Sequence, residues 1–276
     1  MTFIYFDTNV LRYFGQAFQS TRLNASLRSR IAVSPLSVAE LLAQLGGRGS
    51  IPQEAYDAIQ AIRNWVDPTN AHGLDWPQEF IKEQVFGIPI PQGARLPRVF
   101  EKLNECLQSN PDLPSFRRAA EGIKRSWEKI ERRSAELRRS NFLCLRHRKI
   151  KAPKDQLLKS SLKTLREIAS VTETSVDREE ILEKLTAYHE LEISIYSIAL
   201  KDHKFNFLSK SRMNDQVDIE QLLYLADDRA RYLSGDETAY KRLKGTPQWP
   251  RIRIEKDPSR LRNAASATDI LREMLE

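Results

Sequence analysis

Acidic side chains stand beside apolar runs at several places in the chain, and these acids are the residues best suited to chemistry. Asp7 follows the apolar run "TFIYF", and Asp236 ends the run "ARYLSGD". Glu40 lies in the first turns of the helix predicted over "SPLSVAELL". Asp215 and Asp218 lie at or just before the start of the predicted helix "DIEQLLYLA", three residues apart and therefore on one face.

The chemistry of such a group is that of a metal site. Carboxylates that converge on one place repel one another, and their pKa values rise unless a cation is present. Oxygen ligands of this kind suit Mg²⁺ or Mn²⁺, which can activate water and neutralise charge on a phosphoryl group. A carboxylate beside a buried strand needs a partner, so we expect Asp7 to be paired with a metal ion rather than with another side chain.

Each acid also has a simpler interpretation. Asp7, Asp215 and Asp218 could be helix caps or surface acids. Glu40 could be a solvated helix residue, and Asp236 a turn residue.

The alternation of strands and helices at both ends of the chain predicts an α/β fold with a parallel sheet. Strands are predicted over residues 2–6, 31–33, 230–236 and 251–255, with helices between them. Ligands of open parallel sheets bind at the carboxyl ends of the strands, which is where Asp7 and Asp236 are placed. We therefore expect the acids to meet at one edge of the sheet.

The middle of the chain is predicted to be mainly helical. Residues 66–115 read as a long connection with one helical piece, and further helices are predicted at about 156–169 and 178–200. Residues 116–150 read as one long helix with a narrow apolar seam, typical of a helical hairpin or coiled-coil arm. The seam consists of Phe116, Ala120, Ile123, Trp127, Ile130, Ser134, Leu137 and Asn141. The predicted division is an α/β catalytic domain of residues 1–65 and 212–276 with a basic insertion over 66–211.

Positive charge is concentrated in this helical segment. The chain has a net charge of +7 and a pI near 9.4, and residues 117–166 hold 17 Lys and Arg against 5 Asp and Glu. Nucleic acid is the leading partner, although a charge run can also be a solvated face. The candidate residues for backbone binding are Arg132, Arg133, Arg138, Arg139, Arg146, Arg148, Lys149 and Lys151. The helical arm could also serve a homo-oligomer or a protein partner.

Other features of the sequence limit the class of protein. Two cysteines without a CxxC pattern indicate neither a disulfide framework nor a cysteine-rich zinc site. The start of the chain lacks a signal-peptide pattern, and no 18-residue apolar run is present. A basic amphipathic helix could bind an anionic membrane, but its apolar seam is narrow. We therefore expect a cytoplasmic protein that does not bind membranes.

The ordered motifs "FIYFDTNV", "SPLSVAELL", "DIEQLLYLA" and "YLSGD" resemble those of the PIN domain, over about residues 1–65 and 212–256. PIN domains are metal-dependent nucleases, mostly ribonucleases, with a parallel sheet between helices and three or four acids that hold one or two Mg²⁺ or Mn²⁺ ions. The resemblance assigns these roles to Asp7, Glu40, Asp218 and Asp236, with Asp215 as a competing or additional ligand. It implies supporting roles for Asn9 and Ser234.

The resemblance implies an endoribonuclease that leaves 5′-phosphate and 3′-hydroxyl ends. The central helical block departs from the compact family pattern, so the substrate class stays open, and a DNA-directed nuclease is an alternative because metal chemistry at phosphorus does not require a 2′-OH. The other alternative is a non-catalytic RNA-binding or scaffold protein with a PIN-like fold. A phosphatase with an aspartyl-phosphate intermediate is disfavoured, because Asn9 stands where such enzymes have a second acid.

Overall fold

The computed structural model describes residues 1–18, 23–46, 52–65, 74–90, 114–147, 154–172 and 176–276. Over these residues the protein is mostly helical, with a small parallel sheet. The strands are β1 (Phe3–Phe6), β2 (Ala230–Ser234) and β3 (Ile252–Ile254). The first helices are α1 (Thr8–Ala17), α2 (Ala25–Arg28), α3 (Pro35–Leu45), α4 (Gln53–Trp65) and α5 (Pro77–Gln84). The central helices are α6 (Pro114–His147), α7 (Lys154–Ala169), α8 (Arg178–Lys184) and α9 (Thr186–Lys201). The last are α10 (Lys210–Gln221), α11 (Glu237–Tyr240), α12 (Pro258–Arg262) and α13 (Ala264–Leu275), and 3₁₀ turns follow α10 and α11 and precede β3.

The sheet confirms the predicted parallel arrangement. Its order is β1-β2-β3, and both pairs are parallel, so all three carboxyl ends lie at one edge. The predicted strand over residues 31–33 is wrong: Ile31 and Val33 form isolated bridges instead, and Ile31 pairs in parallel with Ile4. Two features cut it short, because Pro35 already begins α3 and the Val33 carbonyl accepts a hydrogen bond from Leu74 N at 3.0 Å.

Side chains alternate between the two faces of the sheet, and each face has its own core. Ile4, Phe6 and Leu233 belong to a core shared with α1, α3, α4 and α13. Tyr5 and Tyr232 point to the other face, where their rings stack with centroids 4.7 Å apart. That second core continues into α7, α9 and the chain after α10, so helices cover both faces.

The described part of residues 66–211 packs onto the sheet domain and does not project as an arm. Helix α6 contacts α3, α10 and α7 in turn. The expected narrow seam is therefore wrong, because a helix with three neighbours buries a broader face. Ala135, Phe142 and Leu145 are buried as well, whereas Ile130 stays 41% exposed. Within the described ranges, no helix has both the length and the apolar character needed to cross a bilayer.

Helix α10 begins earlier than the sequence predicts. Its first residue is Lys210, so Asp215 and Asp218 lie inside the helix and not at its start. The first two turns are polar and give no apolar periodicity from which to predict them. The apolar stretch that was predicted to continue the helix forms a 3₁₀ turn over Leu222–Ala226 instead. Both acids remain three residues apart, on one face of the helix.

Candidate active site at the edge of the sheet

All five predicted acids line one pocket at the carboxyl edge of the sheet. The pocket has a volume of about 330 Å³. It receives residues from the ends of β1 and β2 and from helices α1, α3, α6 and α10. Its lining residues are Asp7, Thr8, Asn9, Arg12, Glu40, Glu131, Asp215, Val217, Asp218, Gln221 and Asp236. Five segments that are distant in sequence are thereby brought to a single acidic cavity.

Asp7 is buried and has protein partners, which corrects the expectation that only a metal would pair with it. Its Oδ1 accepts a hydrogen bond from Val10 N at 2.8 Å, so Asp7 is the N-cap of α1. Its Oδ2 accepts from the Ser234 hydroxyl and from Gly235 N, the latter at 2.9 Å. A carboxylate has about four lone-pair sites, so these three hydrogen bonds leave about one for an ion. Burial raises the pKa of Asp7, and these hydrogen bonds oppose the rise.

Ser234 links the first and last acids of the chain. Its hydroxyl donates to Asp7 and accepts from Asp236 N at 3.0 Å. The side chain is fully buried at the end of β2. The supporting position that the resemblance implies for Ser234 therefore corresponds to a hydroxyl that fixes the Asp7 carboxylate.

Glu40 is held toward the pocket by Thr8, a residue that the sequence analysis did not assign to the site. The Thr8 hydroxyl donates to Glu40 Oε2 at 2.5 Å, and Gln44 Nε2 donates to Oε1 at 3.4 Å. Burial raises the pKa of Glu40, Thr8 and Arg12 lower it, and Asp7 raises it. The Glu40 carboxylate is thus within electrostatic reach of the first acid.

The two acids of α10 differ in their surroundings. Asp215 Oδ2 forms an ion pair with Arg212 Nη1 at 3.0 Å. The Asp218 carboxylate receives no hydrogen bond or ion pair from the residues that the structure describes. Burial raises the pKa of Asp218 well above its ordinary value, and the charges of Asp7, Glu40, Asp236 and Asp215 raise it further. Asp218 is therefore the carboxylate whose ionised form is opposed by the charges of all four other acids.

A short hydrogen-bonded chain fixes α10 against β1 and α3. Gln221 Nε2 donates to Ser37 Oγ at 2.8 Å, and Ser37 Oγ donates to the Phe6 carbonyl at 3.0 Å. The Tyr5 hydroxyl donates to the Gln221 carbonyl at 2.8 Å. The segments that carry Asp7 and Asp218 are thereby held in fixed positions relative to each other.

The donor set of the pocket fits a hard divalent cation, although the side chains are not closed around one. Among the described residues, no three His, Cys, Asp or Glu side chains are close enough together to form a ready ligand group. The first two acids instead accept hydrogen bonds from hydroxyl groups of the chain. Asp7 turns to Ser234 and Glu40 to Thr8. Gln221 Oε1, on the pocket wall, is buried without a hydrogen-bond donor.

The structure divides the predicted nucleic-acid-binding residues into three groups. Exposed on α6 are Arg132, Arg133, Arg139 and Arg146. The assignment of Arg138 was wrong: its side chain is fully buried, where it pairs with Glu192 at 3.3 Å and Glu220 at 3.4 Å. A phosphate cannot reach it. Outside the described residues lie Arg148, Lys149 and Lys151.

Five further pocket residues went unnoticed in the sequence, namely Thr8, Arg12, Glu131, Val217 and Gln221. Thr8 and Arg12 follow Asp7 on α1, and residues four apart on a helix share a face, so helical spacing could have identified them. Glu131 comes from α6, and no local pattern places it near the acids.

No protein-family model, curated protein or solved structure matches the chain. The residues of the pocket therefore carry the functional argument.

Proposed function

We propose that this protein is a PIN-like, Mg²⁺- or Mn²⁺-dependent endoribonuclease. The observation that carries the proposal is the half-buried Asp218 carboxylate, which faces four other carboxylates and has no donor among the described residues. Leaving such a charge without a counterion is costly, and a divalent cation is the counterion that hard oxygen ligands favour. The order of the acids along the chain supports the PIN-like assignment.

The residues that would hold the ion are Asp7, Glu40, Asp218 and Asp236, with Asp215 as an additional ligand. When bound, such an ion supplies an acidified water and neutralises charge on a phosphate. The chain fixes the first two acids through Ser234 and Thr8. In the proposed reaction, the oxygen of a water bonds to phosphorus and the bond from phosphorus to the 3′ oxygen breaks. The 3′ oxygen leaves with a proton, so the products are a 5′-phosphate and a 3′-hydroxyl.

Binding of the polymer is assigned to the exposed bases of α6. This helix also contributes Glu131 to the pocket, so its cations belong to an element that borders the site. Phosphate contacts by Lys and Arg give sequence-independent affinity that weakens as salt increases. The resemblance to PIN domains favours RNA as the polymer, and DNA is the competing substrate.

Asp218→Asn is the decisive variant, because it removes the charge while keeping the shape of the side chain. Asp228→Asn is the matched control, since Asp228 precedes β2 at the opposite edge of the sheet and its side chain is fully exposed. Wild type and both variants are incubated with labelled single-stranded RNA, structured RNA and single-stranded DNA. Each substrate is tested with Mg²⁺, Mn²⁺ or EDTA, and the product ends are mapped.

We expect metal-dependent RNA cleavage with 5′-phosphate ends by wild type and Asp228→Asn, and a loss of at least about 100-fold for Asp218→Asn. Cleavage of DNA alone would reassign the substrate. If RNA is bound equally by all three proteins in EDTA and never cut, the protein is a non-catalytic binding module and the proposal is wrong.

A further inference from the structure

A single cation, Arg12, stands among the described residues that line the acidic pocket. It lies in the second turn of α1, three residues after Asn9 and four after Thr8, so all three share the face of the helix at the pocket. Its side chain is half-buried. An arginine is unexpected in a pocket whose proposed role is to attract a cation, because it opposes that attraction.

The guanidinium of Arg12 is oriented by an amide and not by the acids. Arg12 Nη1 donates to Asn9 Oδ1 at 2.9 Å. Arg12 forms no ion pair with any acid in the part of the chain that the structure describes. It still acts on the cluster through space, since its charge lowers the pKa of Glu40. Four of the five N–H donors of the Arg12 guanidinium are therefore not used by Asn9.

We propose that Arg12, oriented by Asn9, binds the non-bridging oxygens of the phosphate that is cleaved. This inference rests on the proposed nuclease function and adds to it a residue that contacts the substrate. A planar guanidinium matches two phosphate oxygens, which a carboxylate-lined pocket would otherwise repel. Negative charge increases on these oxygens as water adds to phosphorus, so a cation fixed beside them stabilises the transition state more than the ground state.

This role differs from that of a counterion for Glu40. A counterion would only tune the charge of the pocket, so its loss would alter metal affinity and leave turnover at saturating metal unchanged. A residue that contacts the reacting phosphate would change turnover, and the planar fork would matter as well as the charge. Asn9 then supports the site by positioning the arginine through its amide oxygen.

The test compares Arg12→Gln, Arg12→Lys and Asn9→Ala with wild type. Arg272→Gln is the matched control, since Arg272 is an exposed arginine of α13 outside the pocket. Circular dichroism and thermal unfolding establish that each variant is folded. Calorimetric titration with Mn²⁺ measures metal binding without substrate, and initial rates on a 5′-fluorescent single-stranded RNA give kcat and KM at saturating Mg²⁺.

We expect kcat to fall about 100-fold in Arg12→Gln, with Mn²⁺ affinity equal to or tighter than that of wild type. Arg12→Lys should recover only part of kcat, and Asn9→Ala should lose about tenfold. An Arg12→Gln protein with wild-type kcat would overturn this inference and leave the nuclease function intact. If wild type itself cuts no RNA, the proposed function fails, and this inference fails with it.

Discussion

His189 lies in the interior of the helical core, and its replacement by Asn should make the protein less sensitive to acid. Its Nδ1 is 2.7 Å from Ser161 Oγ, and that hydroxyl donates to Glu192 Oε2 at 2.5 Å. Because the hydroxyl proton is directed at Glu192, the hydrogen-bond network assigns the imidazole proton to Nδ1. Nε2 is buried without a partner, so a second proton there would have no acceptor.

The size of the expected loss in the free energy of unfolding follows from the protonation of the His189 ring. Burial lowers the pKa of His189 from 6.5 to about 3. The folded protein therefore keeps the ring neutral, whereas the unfolded chain binds a proton near pH 6.5. The stability due to neutral His189 is fully present above pH 6.5 and decreases as the pH falls toward 3. With 1.36 kcal/mol for each pH unit below 6.5, wild type should lose about 2 kcal/mol between pH 7 and pH 5.

The groups around His189 also titrate, and the variant separates their effect from that of the imidazole. Glu192, whose pKa is raised by burial, faces the ring through Ser161, and Arg138 pairs with Glu192. These groups remain in His189→Asn, whose amide can still donate to Ser161. Urea unfolding of both proteins at pH 7 and pH 5, followed by circular dichroism, gives the difference in acid sensitivity. If the two proteins lose the same free energy of unfolding, the assignment of a buried neutral imidazole is refuted.

Three other outcomes follow from the packing and the charges. Gly15→Ala should lower the free energy of unfolding by about 3 kcal/mol, because its Cβ would lie 2.4 Å from the backbone of α4. Gly122→Ala has open space around its Cβ and should raise the free energy of unfolding by about 0.5–1 kcal/mol. Thermal unfolding measures both changes. Arg138→Met should cost about 3–5 kcal/mol in urea unfolding, because two buried glutamates lose their cation; an unchanged midpoint would contradict this. Neutralising three exposed bases of α6 should reduce the salt slope of single-stranded RNA binding by about 2, measured by fluorescence anisotropy, and an unchanged slope would exclude them from the interface. The three bases to be changed to Gln are Arg133, Arg139 and Arg146.

The sheet edge could be predicted because its signals are local. The strands that carry Asp7 and Asp236 are short apolar runs, and each acid follows its strand directly. Parallel pairing then places both carboxyl ends at one edge. Glu40 could be placed as well, since the helix predicted over "SPLSVAELL" is present as α3.

The rest of the site depends on packing between elements that are distant in sequence. Glu131 reaches the pocket only because α6 lies against both α3 and α10. Arg138 is indistinguishable in the sequence from its basic neighbours, and only glutamates of α9 and α10 reveal its buried position. Helix α10 begins in a polar stretch without apolar periodicity, so its start could not be predicted from the pattern.

The central claim is that the pocket acids hold a divalent cation, and Mn²⁺ binding tests it without knowledge of the RNA substrate. Electron paramagnetic resonance of free Mn²⁺ measures its depletion by wild type, Asp218→Asn and Asp228→Asn. We predict that wild type and Asp228→Asn bind with equal affinity and that Asp218→Asn binds at least about tenfold more weakly. Equal affinity in all three proteins, or no binding by wild type, would contradict the account.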